Sequence, residues 1–242
     1  VYDNVASITG IRGQAGSYVF GQSDGLYHTS PSNSAFSVSN GNISVSAYVY
    51  LDTIGVSQNI VSKWDDSPND FEYRIQISAA NSATFAVVNA AGTSTVLSAN
   101  SFGALNTSSW YNIVGWHSDG SHIGVSVNLS ATTSPWTTGV RTGTAQFIVG
   151  IRGNTSLYQQ PFAGRIDELG IWGKVLTANE RADLYGNGTG NTYTSGGQSG
   201  FGWAMYDFGA SELRWLTVAA GTGIYASSNL GVNFLIVQTS RT

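Results

Sequence analysis

Residues 43–51 read Ile-Ser-Val-Ser-Ala-Tyr-Val-Tyr-Leu. Every second residue is apolar, and Ser or Tyr occupies the positions between them. Successive side chains of a strand point to opposite faces, so this alternation predicts a strand with one buried face and one wetter face. Similar stretches recur at 71–78, 83–89, 110–117, 122–129, 145–151 and 164–172. Repeated strands of this kind predict an antiparallel sandwich.

The composition favours the same architecture. Of 242 residues, 41% are apolar and only 10% are charged, against about a quarter charged in a typical domain. Abundant Gly, Ser, Thr and Asn disfavour long helices. The formal net charge is −4 and Lys63 and Lys174 are the only lysines, so we expect no nucleic-acid partner. No apolar run approaches the length of a membrane span, so we expect no membrane partner either.

One helix is predicted after the last of these stretches. Thr177-Ala-Asn-Glu180 is a capping box, and the helix should run to about Tyr185 and stop at Gly186 or Gly188. The tract 186–200 has the composition of a linker or long loop. Further strands are predicted at 203–208, 212–219 and 230–238. We therefore expect a sandwich at 1–190, followed by a Gly/Ser-rich linker and a C-terminal β extension at 191–242.

The segment around this helix carries a family resemblance. Residues 164–188 read Gly-Arg-Ile-Asp-Glu-Leu-Gly-Ile-Trp-Gly-Lys-Val-Leu-Thr-Ala-Asn-Glu-Arg-Ala-Asp-Leu-Tyr-Gly-Asn-Gly. They resemble the closing segment of laminin-G-like, or concanavalin A-like, lectin domains, most of all those of phage and environmental bacterial proteins. Segments at 45–51, 60–64, 72–74 and 110–117 match in the family's order. The resemblance implies an all-β, two-sheet antiparallel jelly-roll sandwich with one short helix.

Both ends of the chain depart from the family pattern. Family members usually open with a Tyr-Trp-x-Leu-Asp strand, which is missing here, and the first residue is Val1, so we expect a processed, excised or incomplete start. Trp203–Phe208 has a similar character. We hypothesise that it replaces the missing strand beside 164–172, within one chain or by exchange between protomers. Residues 195–242 could then support a homo-oligomer or a larger assembly.

Catalytic carboxylates are hard to assemble from this sequence. Glycoside hydrolysis needs two carboxyl groups flanking the scissile bond, and the related glucanases place theirs as Glu-x-Asp-x-x-Glu. None of the four glutamates stands in that pattern. Asp70 and Glu72 are the only carboxylates two positions apart, and after a Ser-Pro-Asn turn we expect them to be solvated. His117 and His122 are expected at the surface, and the sequence therefore predicts a protein that is not an enzyme.

Asp167 is the candidate for a metal ligand. Strand alternation places it toward the interior, where a charge needs a partner. In the resembling family this aspartate supports a structural calcium ion completed by backbone carbonyls, and the matching positions here are Asp24, Gly25 and Asp3. Calcium accepts such oxygen ligands. The alternative is that Asp167 accepts backbone N–H groups, or pairs with Arg165 or Arg12.

Sugar binding would need exposed aromatic side chains flanked by amides and planar donors. The candidate ligand-binding residues are Tyr48, Tyr50, Trp64, Arg74, Trp116, Arg152 and Tyr158. The alternative is that the aromatic residues pack under loops or against cross-strand neighbours. The sequence favours a non-catalytic glycan-binding or adhesion module, extracellular or on a virion surface. A structural decoration or assembly subunit and a divergent polysaccharide lyase or glycoside hydrolase remain open alternatives.

Overall fold

The computed structural model describes residues 2–3, 5–11, 14–19, 25–27, 36–38, 41–66, 70–154, 157–190 and 202–204. The strands are β1 (Tyr2–Asp3), β2 (Ala6–Thr9), β3 (Gln14–Tyr18), β4 (Gly25–Tyr27), β5 (Ile43–Leu51), β6 (Gln58–Asp65), β7 (Asp70–Ile77), β8 (Ala83–Val88), β9 (Ser94–Ser98), β10 (Trp110–Ser118), β11 (His122–Val127), β12 (Ser130–Pro135), β13 (Phe147–Val149), β14 (Arg152–Asn154), β15 (Leu157–Gln159), β16 (Gly164–Trp172) and β17 (Gly202–Ala204). One helix, α1 (Ala178–Tyr185), is followed by a short 3₁₀ turn at Gly186–Gly188.

These strands build two large antiparallel sheets and one small one. The seven-stranded sheet has the order β1-β4-β13-β6-β7-β8-β9. The eight-stranded sheet has the order β12-β11-β10-β5-β16-β3-β2, and β17 pairs with β16. Strands β14 and β15 form a separate two-stranded hairpin. The all-β sandwich predicted from the sequence is confirmed, and no helix in the described part of the chain is long and apolar enough to cross a bilayer.

The core lies between the inner faces of the two large sheets. Val45, Ala47 and Val49 of β5 are completely buried, as their alternation predicts. Burying each valine side chain contributes roughly 1.5–3 kcal/mol of transfer free energy. The sheets approach closely at Gly115 of β10, where an added Cβ would lie 2.4 Å from the ring of Phe85 on β8. A larger residue at this position would therefore force the two sheets apart.

Helix α1 covers part of the outer face of the eight-stranded sheet. Its capping box is confirmed: the Glu180 N–H donates to Thr177 Oγ1 (3.3 Å), and the Thr177 N–H donates to Glu180 Oε2 (2.8 Å). Gly186 ends the helix with a left-handed backbone, at φ 50°, which glycine adopts without strain. Beneath the helix is a second apolar cluster, formed by Val114, Trp116, Trp172, Leu176 and Leu184.

Strand β17 completes the edge of the eight-stranded sheet. One edge of β16 pairs with β3 at residues 164–166 and with β17 at residues 170–172. Residues 202–204 thus lie along β16, in the position that the sequence predicted for the start of the Trp203–Phe208 strand. Residues 205–208, and the strands predicted at 212–219 and 230–238, lie outside the described residues. The division at residue 190 and assembly through 195–242 stay predictions.

Candidate functional site

The outer face of the eight-stranded sheet carries three of the aromatic candidates, but two of them are covered. Tyr48 and Trp116 are only 1% and 2% exposed. The Tyr48 hydroxyl donates to the carbonyl of Tyr185 at the end of α1, and burial raises its pKa. Both side chains therefore pack within the fold, which is the alternative that the sequence left open. Alternation identifies the face of a strand but not the helix that packs on it.

Arginine side chains cover aromatic rings on this face as well. The Arg181 guanidinium lies 4.3 Å from the Trp116 ring centroid and donates to the Leu176 carbonyl (2.5 Å). Arg165 lies 4.5 Å from the ring centroid of Tyr50, which is half-buried. These contacts join parts of the protein to one another, so this face has the character of a structural surface.

The outer face of the seven-stranded sheet brings three other candidates together. Trp64 on β6 and Arg74 on β7 are neighbours, with the guanidinium 4.2 Å from the ring centroid. Phe71 packs against the same indole at 4.6 Å between centroids. Because these two side chains leave Trp64 only 6% exposed, the indole supports Arg74 and does not offer a free stacking surface. Arg152 reaches this group from the β14–β15 hairpin.

The charges in this group are unevenly paired. Asp66 accepts from Trp64 Nε1 (3.2 Å), and its other oxygen lies 2.8 Å from Arg152 Nη2. Arg152 Nη2 also donates to Gln159 Oε1 (2.7 Å). Arg74 differs, because its Nε and Nη1 have no hydrogen-bond partner among the described residues. Burial and the nearby Arg152 cation lower the pKa of Arg74 to about 10, so it stays charged at neutral pH.

Three amide side chains add unpaired acceptors to this region. Asn59 on β6 is the cross-strand partner of Gln76 on β7, which stands two residues after Arg74. Gln160, after β15, accepts the Asn59 backbone N–H through its own carbonyl (2.8 Å). The side-chain oxygens of all three amides are buried and have no hydrogen-bond partner in the described part of the chain. The site is defined here as the Arg74 cluster: Asn59, Trp64, Asp66, Arg74, Gln76, Arg152, Gln159 and Gln160.

The sequence reasoning found part of the Arg74 cluster. It selected Trp64, Arg74 and Arg152, but it missed Asp66 and the amides. The strand period could have found two of these, since Gln76 stands two residues after Arg74 and Asp66 two residues after Trp64. Tyr158 pairs through its backbone with Gly153 in the hairpin. Its side chain is outside the described set, so its role stays a prediction.

The Asp70–Glu72 pair is buried, and the expectation that it is solvated was wrong. Between Lys63 and Trp64 the pairing of β6 and β7 shifts, which leaves Glu72 as an extra residue on β7. Glu72 lies 2.8 Å from Lys63 Nζ and accepts the Gly143 N–H (3.1 Å). Asp70 accepts both the N–H and the hydroxyl of Thr144 (2.6 Å each). The loop at 141–144 covers both carboxylates and binds them to structural partners.

His117 was also expected at the surface, and that expectation was wrong. Its ring is fully buried, and Nδ1 donates to the carbonyl of Gly41. Burial lowers the pKa of His117, which favours the neutral ring. His122 is half-buried and accepts from Trp116 Nε1 (3.1 Å). Both histidines therefore hold other parts of the fold in place.

The calcium site predicted from the sequence lies partly outside the described residues. Asp3 and Gly25 are cross-strand partners at the edge of the seven-stranded sheet, and Asp24 lies outside the described residues. Asp167 belongs to the other sheet, where it lies beside a bulge and accepts the Glu168 N–H (2.8 Å). No group of three or more His, Cys, Asp or Glu suited to a metal occurs in the described part. Because Asp24 and the side chain of Asp3 lie outside the described residues, calcium stays a prediction.

Sequence comparison assigns the fold to a family. The model of the concanavalin A-like lectin/glucanases superfamily matches residues 20–180, more than half of the chain. The chain belongs to this superfamily. Its strand pairing and closing helix agree with the sandwich that the resemblance implied. No curated protein matches this chain by sequence.

Several solved structures have a similar fold. Domain 4 of AbnA, an extracellular arabinanase from Geobacillus stearothermophilus solved with arabinotriose, is 18% identical at TM-score 0.52, covering 75% of this chain and 81% of that one. The binding domain of Paraclostridial Mosquitocidal Protein 1 is 13% identical at TM-score 0.60, covering 97% and 67%. A Bacteroides ovatus protein assigned to carbohydrate binding is 18% identical at TM-score 0.50, covering 69% and 45%. The chain therefore spans less than half of the Bacteroides protein, and at these identities the likeness concerns the fold.

Proposed function

We propose that this chain is a non-catalytic module that binds a glycan through the Arg74 cluster, outside the cell or on a virion surface. One observation carries the proposal: the Arg74 guanidinium is half-buried on an outer sheet face, and its Nε and Nη1 have no hydrogen-bond partner among the residues that the structure describes. A cation removed from water without a partner is unfavourable, and a bound ligand would supply that partner. Binding sites use such unpaired polar groups to orient their ligands.

The surrounding groups suit a hydroxylated ligand. The unpaired amide oxygens of Gln76 and Gln160 can accept hydrogen bonds from sugar hydroxyls. Gln159 is exposed at the rim of the cluster. The arabinanase domain that was solved with arabinotriose supports carbohydrate as the ligand class. That arabinanase is an extracellular protein, which supports a location outside the cell. A non-catalytic role is supported by Asp70 and Glu72, whose carboxylates bind Thr144, Lys63 and Gly143.

A glycan array tests the proposal directly. The wild-type chain should bind a subset of glycans, and Arg74→Met should lose about tenfold or more in affinity for them, since a charge-assisted contact is removed. Arg165→Met is the matched control, because Arg165 also covers an aromatic ring but lies on the opposite sheet. Equal loss in both variants, or silence of the wild-type chain on every glycan, would contradict the proposal.

A further inference from the structure

The net charge of the Arg74 cluster limits the chemical class of its ligand. Two of its residues are cations, Arg74 and Arg152, and one is an anion, Asp66. Asp66 lies 2.8 Å from Arg152 and is held by the Trp64 indole. Asp66 also acts on Arg74 through its charge, but no carboxylate in the described part of the chain forms an ion pair with Arg74. One negative charge would balance the cluster.

The unpaired donors of Arg74 indicate which acid groups could bind it. Guanidinium N–H groups lie in one plane and match the oxygens of carboxylates, sulfates and phosphates. The stack on Trp64, at 4.2 Å, fixes the plane of the guanidinium. Arg152 Nε is a further buried donor with no hydrogen-bond partner among the described residues. The donors of two arginines thus need oxygen acceptors.

Neither of two simpler ligands satisfies both the arginine charge and the amide oxygens. A free inorganic anion could pair with Arg74, but it would leave the amide oxygens of Gln76 and Gln160 without donors in the described part of the chain. A neutral sugar could supply hydroxyl donors, but it would leave the arginine charge uncompensated. A ligand that carries both hydroxyls and a single negative charge satisfies both groups of atoms.

We propose that the glycan bound by the Arg74 cluster is acidic, and that its sugar carboxylate or sulfate ester pairs with Arg74. This inference rests on the proposed function and names the chemical class of its ligand. Both acid groups carry a single negative charge, and both present a pair of oxygens that can accept from a guanidinium. Hydroxyls of the same sugar ring donate to Gln76 and Gln160.

Isothermal titration of the full chain with four oligosaccharides tests the inference. The probes are oligogalacturonate, the same oligomer as its methyl ester, a sulfated galactan oligomer and a neutral maltooligosaccharide. We expect an acidic probe to bind at least about tenfold tighter than the methyl ester and the neutral oligomer. Which acidic probe binds more tightly decides between carboxylate and sulfate. The preference should weaken as salt is raised, since it depends on charge.

Two variants connect that preference to the site. Arg74→Met should abolish the difference between acid and ester, whereas Arg165→Met, with the same loss of charge on the opposite sheet, should keep it. Circular dichroism and the thermal midpoint show that each variant is folded. Equal binding of acid and ester would overturn the acidic class but leave glycan binding at this site intact. An acid preference that survives Arg74→Met would overturn the assignment to Arg74, and no binding to any oligosaccharide would contradict the proposed function as well.

Discussion

Two arginine–tryptophan stacks lie on the outer faces of opposite sheets, and their geometry is nearly the same. Arg74 lies 4.2 Å from the ring centroid of Trp64, and Arg181 lies 4.3 Å from that of Trp116. Arg181 also donates to the Leu176 carbonyl, whereas Nε and Nη1 of Arg74 have no partner among the described residues. A stacked arginine therefore does not distinguish a structural surface from a binding surface. The two stacks differ in the hydrogen bonds of the arginine that remain unmade.

The largest effect should come from the structural stack. Trp116→Ala removes a side chain that is 2% exposed and packed under α1. We expect a loss of about 3–5 kcal/mol in the free energy of unfolding, because the cavity cannot be refilled by the helix. Guanidinium denaturation measures it, with Trp136→Ala, a half-buried indole elsewhere, as the reference. A loss below about 1 kcal/mol would show that α1 does not need this residue.

The second-largest effect should be a difference between Arg181 and Arg74 in their contribution to stability. Arg181→Met should destabilise the fold by about 1–2 kcal/mol, since it leaves the Leu176 carbonyl without its donor and removes the stack. Arg74→Met should leave stability within about 0.5 kcal/mol of wild type or raise it, because it removes a charge that lacks a partner. Urea denaturation of both variants provides the comparison. A larger loss at Arg74 than at Arg181 would mean that Arg74 is structural.

Acid should weaken the helix-covered face through Glu180. Burial by itself raises the pKa of Glu180, but hydrogen bonds from Lys174 and Thr177 outweigh it and the pKa is lowered from its ordinary 4.5. A carboxyl group with a lower pKa in the folded state stabilises above its unfolded pKa, and that contribution is lost as pH falls through the folded pKa. Glu180→Gln should therefore cost roughly 1 kcal/mol near neutral pH.

The free energy of unfolding of both proteins should be measured from neutral pH down to below pH 4.5. The difference between wild type and Glu180→Gln should shrink toward zero as the pH falls below 4.5, the ordinary pKa of this group. Asp183→Asn, an exposed carboxylate on the same helix, is the control and should show no such trend. A difference that is independent of pH would mean that the Glu180 contacts do not depend on its charge.

The smallest effect is expected at the rim of the Arg74 cluster. Gln159 is exposed and accepts from Arg152 Nη2 (2.7 Å). Gln159→Ala should weaken binding of the preferred oligosaccharide by about two- to fivefold, since the hydrogen bond only orients Arg152. Stability should change little. Titration beside Asn100→Ala, an exposed residue outside the cluster, measures this, and an effect as large as that of Arg74→Met would place Gln159 at the centre of the site.

Local patterns in the sequence predicted much of the fold. The alternation at Ile43–Leu51 gave the bounds of β5, because apolar residues every second position leave one register that buries them. Thr177 and Glu180 likewise placed the start of α1. What alternation could not predict is the cover over Tyr48 and Trp116. That cover depends on contacts between segments far apart in the chain.

The Arg74 cluster was predicted only in part for a similar reason. Residue type and the family resemblance pointed to Trp64, Arg74 and Arg152, but also to residues on the opposite sheet. Glu72 is the extra residue of a bulge in β7. The bulge interrupts the two-residue period from which the faces of β7 would be predicted. Which arginine lacks partners follows from the folded geometry alone, so the sequence could not rank Arg74 above Arg165.

The β14–β15 hairpin has a consequence for how this sandwich can diversify. Its strands pair only with each other among the described strands, yet the hairpin brings Arg152 and Gln159 to the cluster. Its sequence can change without disturbing the register of either large sheet. New ligand preferences can therefore arise by exchanging a few residues of one insert, while the framework that carries Arg74 is inherited unaltered.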